Sequence, residues 1–367
     1  MNTTTKELTI QCDGLFQETY TVPADQYRGL LFGLELELFT VDSDLVPQEM
    51  DLAGLDSHFI KPEFALEQIE LNTDPFSSLL DVRAQLYDTA QRALAAATEQ
   101  KLLLLPISLF DEHPLRIRTT PRYRLLSQHL GRPFTENAPY VASGQVNVGA
   151  DNEQQAFEIF NALRHLLPLL LALSAASPFS HGQNSGSAAK RMDTYDAAIG
   201  KYPELTGLPP IMHDLGDYAV ALETLPVFQH PNMYYKHMRP MPQRGVAGEI
   251  RCPEVQHTID RQIALAALTK GYVLAYLSGE ISLPAESSLE PSFAIARTYG
   301  DMSSRNNIDE LLEIARAHLP LQERVLLDPL QDHCPAKSMI ANYSRGKSVT
   351  EIYKEIAHTF ATNLRAG

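Results

Sequence analysis

Cysteine is scarce in this chain, and the three present, Cys12, Cys252 and Cys334, are widely spaced. They offer no disulfide framework and no Cys-x-x-Cys metal motif. Positive charge is also in deficit: 45 acidic residues face 30 basic ones, for a formal net charge of −15. The overall field therefore draws in neither a nucleic-acid backbone nor an anionic membrane. A nucleotide bound by such a chain must be held locally, by metal ions or a few placed Arg and Lys. The longest apolar run, HLLPLLLALSAASPF (165–179), contains Pro168 and is too short for a membrane span. The opening residues MNTTTKELTIQ have neither a basic n-region nor an apolar h-region, so no secretory signal is expected and the expected location is cytoplasmic. No GxxxxGK[ST] is present, nor GxGxxG after a strand, so a nucleotide would be held without a glycine-rich phosphate loop. His165, His230, His237 and His257 show no HxxH or HxxxH spacing. They are expected at the surface or hydrogen-bonded, not on zinc.

What the chain does have is strands with one unusual face. In LLFGLELELFT (30–40), Leu30, Phe32, Leu34, Leu36 and Leu38 share one parity, and Gly33, Glu35 and Glu37 the other. Alternate side chains of a strand point to opposite faces, so two carboxylates stand roughly 6–7 Å apart along one side. The pattern recurs in three distant segments. ALEQIELNT (65–73) sets Gln68, Glu70 and Asn72 against Ile69 and Leu71. SGQVNVGA (143–150) sets Gln145 and Asn147 against Val146 and Val148. GVAGEIRCPEVQ (245–256) places Glu249 and Arg251 on one face around Ile250, with Cys252 on the other as a small core residue. Between them, apolar spacing predicts helices over 77–100 with a serine cap, over 152–176 with Asp151 as cap, and over 258–280, 307–317 and 348–364. Residues 101–110 read as a buried strand, 113–131 as a basic, proline-punctuated stretch turning helical, and 41–62 and 177–191 as loops. With no internal repeat and no low-complexity linker, residues 1–367 are expected to form a single catalytic domain whose part from about 258 is largely helical.

Carboxylates crowded on one face repel and rise in pKa unless something neutralises them. Hard divalent cations do so with oxygen ligands, and Mg²⁺ pairs a few carboxylates with substrate phosphates. An arginine two residues from such a carboxylate can stabilise a transferring phosphoryl group. The plainer alternative is a solvated or salt-bridged sheet face, and periodicity alone does not decide between them.

The ordered motifs resemble the glutamate–cysteine ligase type 2 family, the carboxylate–amine ligases of the glutamine-synthetase-like superfamily. The resemblance is carried by GLELELF (33–39), QIELNT (68–73), PRYRLL (121–126), SGQVNVG (143–149), LRHLLPLLLALSAASPFSHGQNSG (163–186) with Arg191, and GEIRCPEVQ (248–256). It implies an α+β fold, a curved, mostly antiparallel sheet backed by helices. It implies ATP, with two or three Mg²⁺ or Mn²⁺ ions. The implied reaction is phosphorylation of a carboxylate, usually the γ-carboxyl of glutamate, then attack by an amine, in many members that of cysteine. Small-molecule substrates are the implied partners, without nucleic acid or membrane, and a homo-oligomer is compatible.

Carried onto this chain, the metal ligands implied are Glu35, Glu37, Glu70 and Glu249, with Glu67 a further candidate. Arg251 becomes the phosphate-contacting arginine, with Arg122 beside it in the chemistry. Arg122, Tyr123, Asn147 and Arg191 become substrate or ATP contacts. The chain departs from the family at two places. Gln145 stands where some branches carry a metal-binding histidine, although an amide oxygen can serve. Ala189 stands where many relatives have serine. Two further readings stay open: the same chemistry on another acid or amine in specialised metabolism, and a ligase-like protein that binds nucleotide or amino acid without catalysis.

Overall fold

The computed structural model describes residues 6–8, 20–22, 26–225, 234–303 and 305–366; Cys12 and His230 lie outside them. The elements in chain order begin with a short antiparallel pair, β1 (Lys6–Leu8) and β2 (Tyr20–Val22). There follow β3 (Phe32–Val41), β4 (Ile60–Pro62), β5 (Gln68–Asn72), α1 (Leu79–Glu99), β6 (Leu103–Leu105), α2 (Pro121–Leu130), α3 (Arg132–Asn137), β7 (Gly144–Gly149) and α4 (Glu153–Ser174). The hairpin β8 (Phe179–Ser180) and β9 (Gln183–Asn184) leads to α5 (Lys190–Ala198), α6 (Leu215–Glu223), β10 (Met238–Met241) and β11 (Val246–Ile250). The remainder is helical: α7 (Ile259–Leu277), α8 (Leu289–Tyr299), α9 (Arg305–His318), α10 (Pro335–Ser344) and α11 (Val349–Ala366).

One seven-stranded sheet, ordered β10-β11-β7-β3-β5-β4 with β6 also on β3, organises the molecule, and every pairing in it is antiparallel. Its apolar face carries Leu34, Leu36, Leu38, Ile69, Leu71, Val146, Val148 and Ile250, none more than 1% exposed. Helices α1, α4 and α7 cover that face. Burying each such side chain stabilises the fold by about 1.5–3 kcal/mol, which fixes which side of β3 faces in. The register then sets the other side. Glu35 stands opposite Gln145 and Asn72, Glu37 opposite Glu70, Asn147 opposite Gly33 and Glu249, and Glu249 opposite Arg239.

Several local expectations are corrected. Ser78 occupies the cap position of α1 but makes no side-chain cap bond; the Leu79 N–H donates instead to Glu323 Oε1 at 3.0 Å. Asn152, not Asp151, caps α4, accepting from the Gln155 N–H at 2.9 Å. That helix runs through Pro168 and, at 22 residues, is long and apolar enough to cross a membrane, yet 78% of its apolar window is buried inside the protein. Residues 60–62, read as loop, form β4. The strand read over 101–110 shrinks to three residues, and that over 245–256 to Val246–Ile250, so Arg251 follows the strand. Gly245, in the β10–β11 turn, has φ +66°, and a Cβ there would lie 2.1 Å from the Gln26 carbonyl oxygen. Only glycine allows that approach.

Candidate active site

On the polar face of the sheet lies a cavity of ≈ 210 Å³. Nine of the candidate site residues line it: Glu35, Glu37, Glu70, Gln145, Arg122, Tyr123, Arg191, Glu249 and Arg251. Strands β3, β5, β7 and β11 supply the floor, while α2, α3 and α5 supply the opposite wall. That wall mixes Arg122, Tyr123, Arg191 and Tyr195 with apolar side chains, which Phe64 joins from between β4 and β5. Phe64, Leu126, Phe134 and Ile199 are all buried, and the Phe64 ring meets Tyr123 and Phe134 at centroid distances of 4.8 and 4.9 Å.

Amide side chains and one backbone N–H anchor the carboxylates, for Glu35 and Glu37 from β7 and the residue before it, and for Glu70 from its own strand. The Gln145 amide donates to Glu37 Oε1 at 2.9 Å, and the Ser143 N–H donates to Glu37 Oε2 at 2.7 Å. Asn147 donates to Glu35 at 3.1 Å, and Asn72 to Glu70 at 2.8 Å. These bonds hold the acids without neutralising them. Burial, followed by repulsion from Glu249 and Glu70, pushes Glu35 up to about 8. Burial also raises Glu37, although Arg191 draws it back. Glu249 behaves oppositely: burial pushes it up, but Arg239 and Arg251 outweigh burial and leave it below the usual carboxylate range. Arg239 lies 2.9 Å from Glu249 and Arg251 3.7 Å.

Sequence reasoning missed two charged members of the site. Glu63 follows β4, and its carboxylate joins those of Glu37 and Glu70, with oxygens within 4.8 Å of one another. Burial, then Glu70 and Glu37, raise it well above its ordinary value. The β4–β5 hairpin brings it there, with the Glu63 N–H on the Gln68 carbonyl at 3.2 Å. Arg239, in β10, is the other. Glu67 does not join the cluster: its carboxylate takes the Arg116 Nε at 2.5 Å and the Arg116 N–H at 3.0 Å. Asn147 reaches the site through Glu35 and also lines a second cavity of ≈ 340 Å³. Four glycines (Gly29, Gly33, Gly149, Gly245) floor that cavity, and Arg28 and Arg244 are exposed at its rim.

The donor set fits hard cations. Three carboxylates converge, burial and mutual repulsion raise two of them, and the Gln145 Oε1 is buried with no hydrogen-bond partner. A cation among these oxygens would offset the repulsion and satisfy the orphan amide oxygen. Among the described residues the histidines form no metal cluster. His237 is not at the surface; it is buried, stacked on Phe293 at 4.9 Å, and burial holds it neutral. Cys252 is a fully buried core residue whose thiol burial pushes up to about 12.

A family model described as glutamate-cysteine ligase family 2 (GCS2) matches residues 31–291. A relative from Verminephrobacter eiseniae, provisionally named glutamate–cysteine ligase 2, is 26% identical over 332 residues, covering 84% of each chain. Another of that name from Leptothrix cholodnii is 29% identical, covering 68% of this chain and 67% of its own. In structure, the chain is similar to glutamate–cysteine ligase of Francisella tularensis solved with AMP, at TM-score 0.66 and 15% identity, covering 92% of this chain and 89% of that one. It is also similar to a bifunctional glutathione synthetase from Pasteurella multocida, at TM-score 0.69 and 14% identity. The match covers 92% of this chain but about half, 53%, of that longer one.

Proposed function

Because the chain belongs to glutamate–cysteine ligase family 2, a family of ATP-dependent carboxylate–amine ligases, we propose that it joins the γ-carboxyl of glutamate to an amine, cysteine foremost, through an acyl phosphate. One observation carries this reading. Five buried or half-buried carboxylates, Glu35, Glu37, Glu63, Glu70 and Glu249, converge from three parts of the chain on one cavity that Arg122, Arg191, Arg239 and Arg251 also line.

A carboxylate resists attack by an amine until one of its oxygens becomes a good leaving group. Transfer of the terminal phosphoryl of ATP to that oxygen releases ADP. The amine nitrogen then bonds to the carbonyl carbon, and phosphate departs as the nitrogen loses a proton. Glu37, Glu63, Glu70 and the Gln145 amide oxygen would hold one divalent ion, and Glu35 with Glu249 another. Such ions supply the neutralisation that lets a triphosphate and a carboxylate approach each other. Arg251, anchored beside Glu249 and under the Tyr235 ring at 5.8 Å, offers a fixed positive charge to the phosphoryl oxygens. Arg191 and Arg122 supply cations for the acid's carboxylates. The wall of Phe64, Leu126, Phe134 and Ile199 keeps water from the acyl phosphate. The glycine-floored cavity beside Asn147 suits the nucleotide, since a backbone floor lets phosphates approach closely.

The test is ADP release with Mg²⁺ and glutamate across a panel of amines. Amine-dependent ADP release is expected. Well-folded protein that releases none with any amine would overturn the reading.

A further inference from the structure

Arg191 sits in the first turn of α5, where the capping position is held by Ala189, which has no side chain to cap with. The cap comes from elsewhere. Ser177 Oγ accepts from the Arg191 N–H at 2.9 Å, while the Ser177 carbonyl accepts from the Lys190 N–H at 3.0 Å. The hydroxyl is itself aimed, because it donates to Glu254 Oε1 at 2.6 Å. Glu254 is fully buried, and its other oxygen accepts from the Ala176 N–H. The segment that carries Glu254 also takes the far end of the arginine: Arg191 Nη2 donates to the Arg251 carbonyl at 3.1 Å and Nη1 to the Cys252 carbonyl at 3.3 Å. The chain of bonds closes on itself, from Arg191 through Ser177 and Glu254 and back along the backbone to Arg191. Nη1 also donates to Met192 Sδ at 3.3 Å, and Arg191 is 3% exposed and lines the cavity.

We infer that Glu254 is a positioning residue for the acid substrate: through Ser177 it fixes the helix start and the guanidinium of Arg191 at the cavity wall. This rests on the reading that Arg191 faces the acid. A hydroxyl both donating and accepting has one orientation, so removing its acceptor frees it to turn away from the Arg191 N–H.

The experiment uses the full chain and two readouts. The first is the ¹⁵Nε–¹H arginine spectrum, with the Arg191 signal assigned by its loss in Arg191→Lys. The second is the split between KM for glutamate and kcat. In Glu254→Ala the Arg191 signal shifts or broadens, and KM rises about 10- to 100-fold, the scale of one lost bond to a charged group, while kcat changes less. Glu254→Gln, whose amide oxygen still accepts from Ser177, returns KM most of the way towards wild type. Ser177→Ala, the smaller perturbation if Glu254→Ala folds poorly, shifts the same signal. Glu254→Ala combined with Arg191→Lys is no worse than Arg191→Lys alone, since both act on one unit. An unmoved Arg191 signal, an unchanged KM, or additive losses in the double variant would each overturn the inference. If the wild type releases no ADP at all, the ligase reading fails, and the spectrum alone still decides whether Glu254 holds Arg191.

Discussion

Two groups of buried charge lie on opposite sides of the same sheet, and they are built differently. Behind the apolar face, Lys270 of α7 donates to Glu323 at 2.6 Å and to the Ser77 carbonyl at 2.7 Å. Glu323 spends its other oxygen on the Leu79 N–H that begins α1. Every charge there has an opposite charge and a hydrogen bond. In front, Glu37, Glu63 and Glu70 crowd within 4.8 Å, and the ion pair that Lys61 makes to Glu70 is 3.9 Å long. The first arrangement ties α7, α1 and residues 321–330 together. The second holds an excess of carboxyl groups whose ionised form a cation would favour. Buried charge that is fully matched serves architecture, and buried charge left in excess points to a ligand.

The contrast can be broken from either side. The largest effect is expected in front: Glu35→Gln together with Glu249→Gln should lower ligase turnover by about a thousandfold or more, because metal-borne charge stabilisation is worth several kcal/mol. Steady-state ADP release measures it, and a loss under tenfold would break the assignment. Behind the sheet, Lys270→Met should destabilise the fold by about 3–5 kcal/mol by leaving Glu323 buried and unpaired. The urea midpoint should recover in part when Glu323→Gln is added.

A third case sharpens the rule. Both oxygens of Glu112 are buried with no cation beside them among the described residues, and burial, then Asp111, push it up to about 7. A raised carboxyl favours the fold below its unfolded value and loses that contribution as pH rises through about 7. Glu112→Gln should therefore stabilise the protein at pH 8 by about 1–3 kcal/mol and flatten the loss of stability between pH 4.5 and 7, read as Tm against pH. The smallest effect belongs to Glu67→Gln. Its buried carboxylate serves Arg116 outside the cavity, so turnover should stay within about twofold, while stability falls by about 1–2 kcal/mol as one charge-assisted bond is weakened. A large fall in turnover would return Glu67 to the site.

The four two-faced strands were legible because a strand's period is two and its core face must be apolar, so β3, β5, β7 and β11 announced themselves. Glu67, taken from the sequence as a further ligand candidate, immediately precedes β5, and its carboxylate turns to Arg116 instead of the cluster. The long helices were legible by period, though not their caps: Asp151 and Asn152 are equally plausible by type, and only geometry chose Asn152. Glu63 was hidden because EFALEQ contains no Gly or Asn to mark the β4–β5 hairpin. Arg239 was hidden because MRPM reads as a proline-broken segment, although a sheet edge tolerates proline. Convergence itself is non-local; only the pairing of β10 with β11 and of β4 with β5 could show which charges meet.

Glu35 and Glu37 sit on the longest strand of the sheet, between leucines that define its interior. Sliding β3 by a single position against β5 and β7 would turn both acids into the hydrocarbon and Leu34, Leu36 and Leu38 into the cavity. Misregistered chains are thus penalised twice, once in packing and once in chemistry.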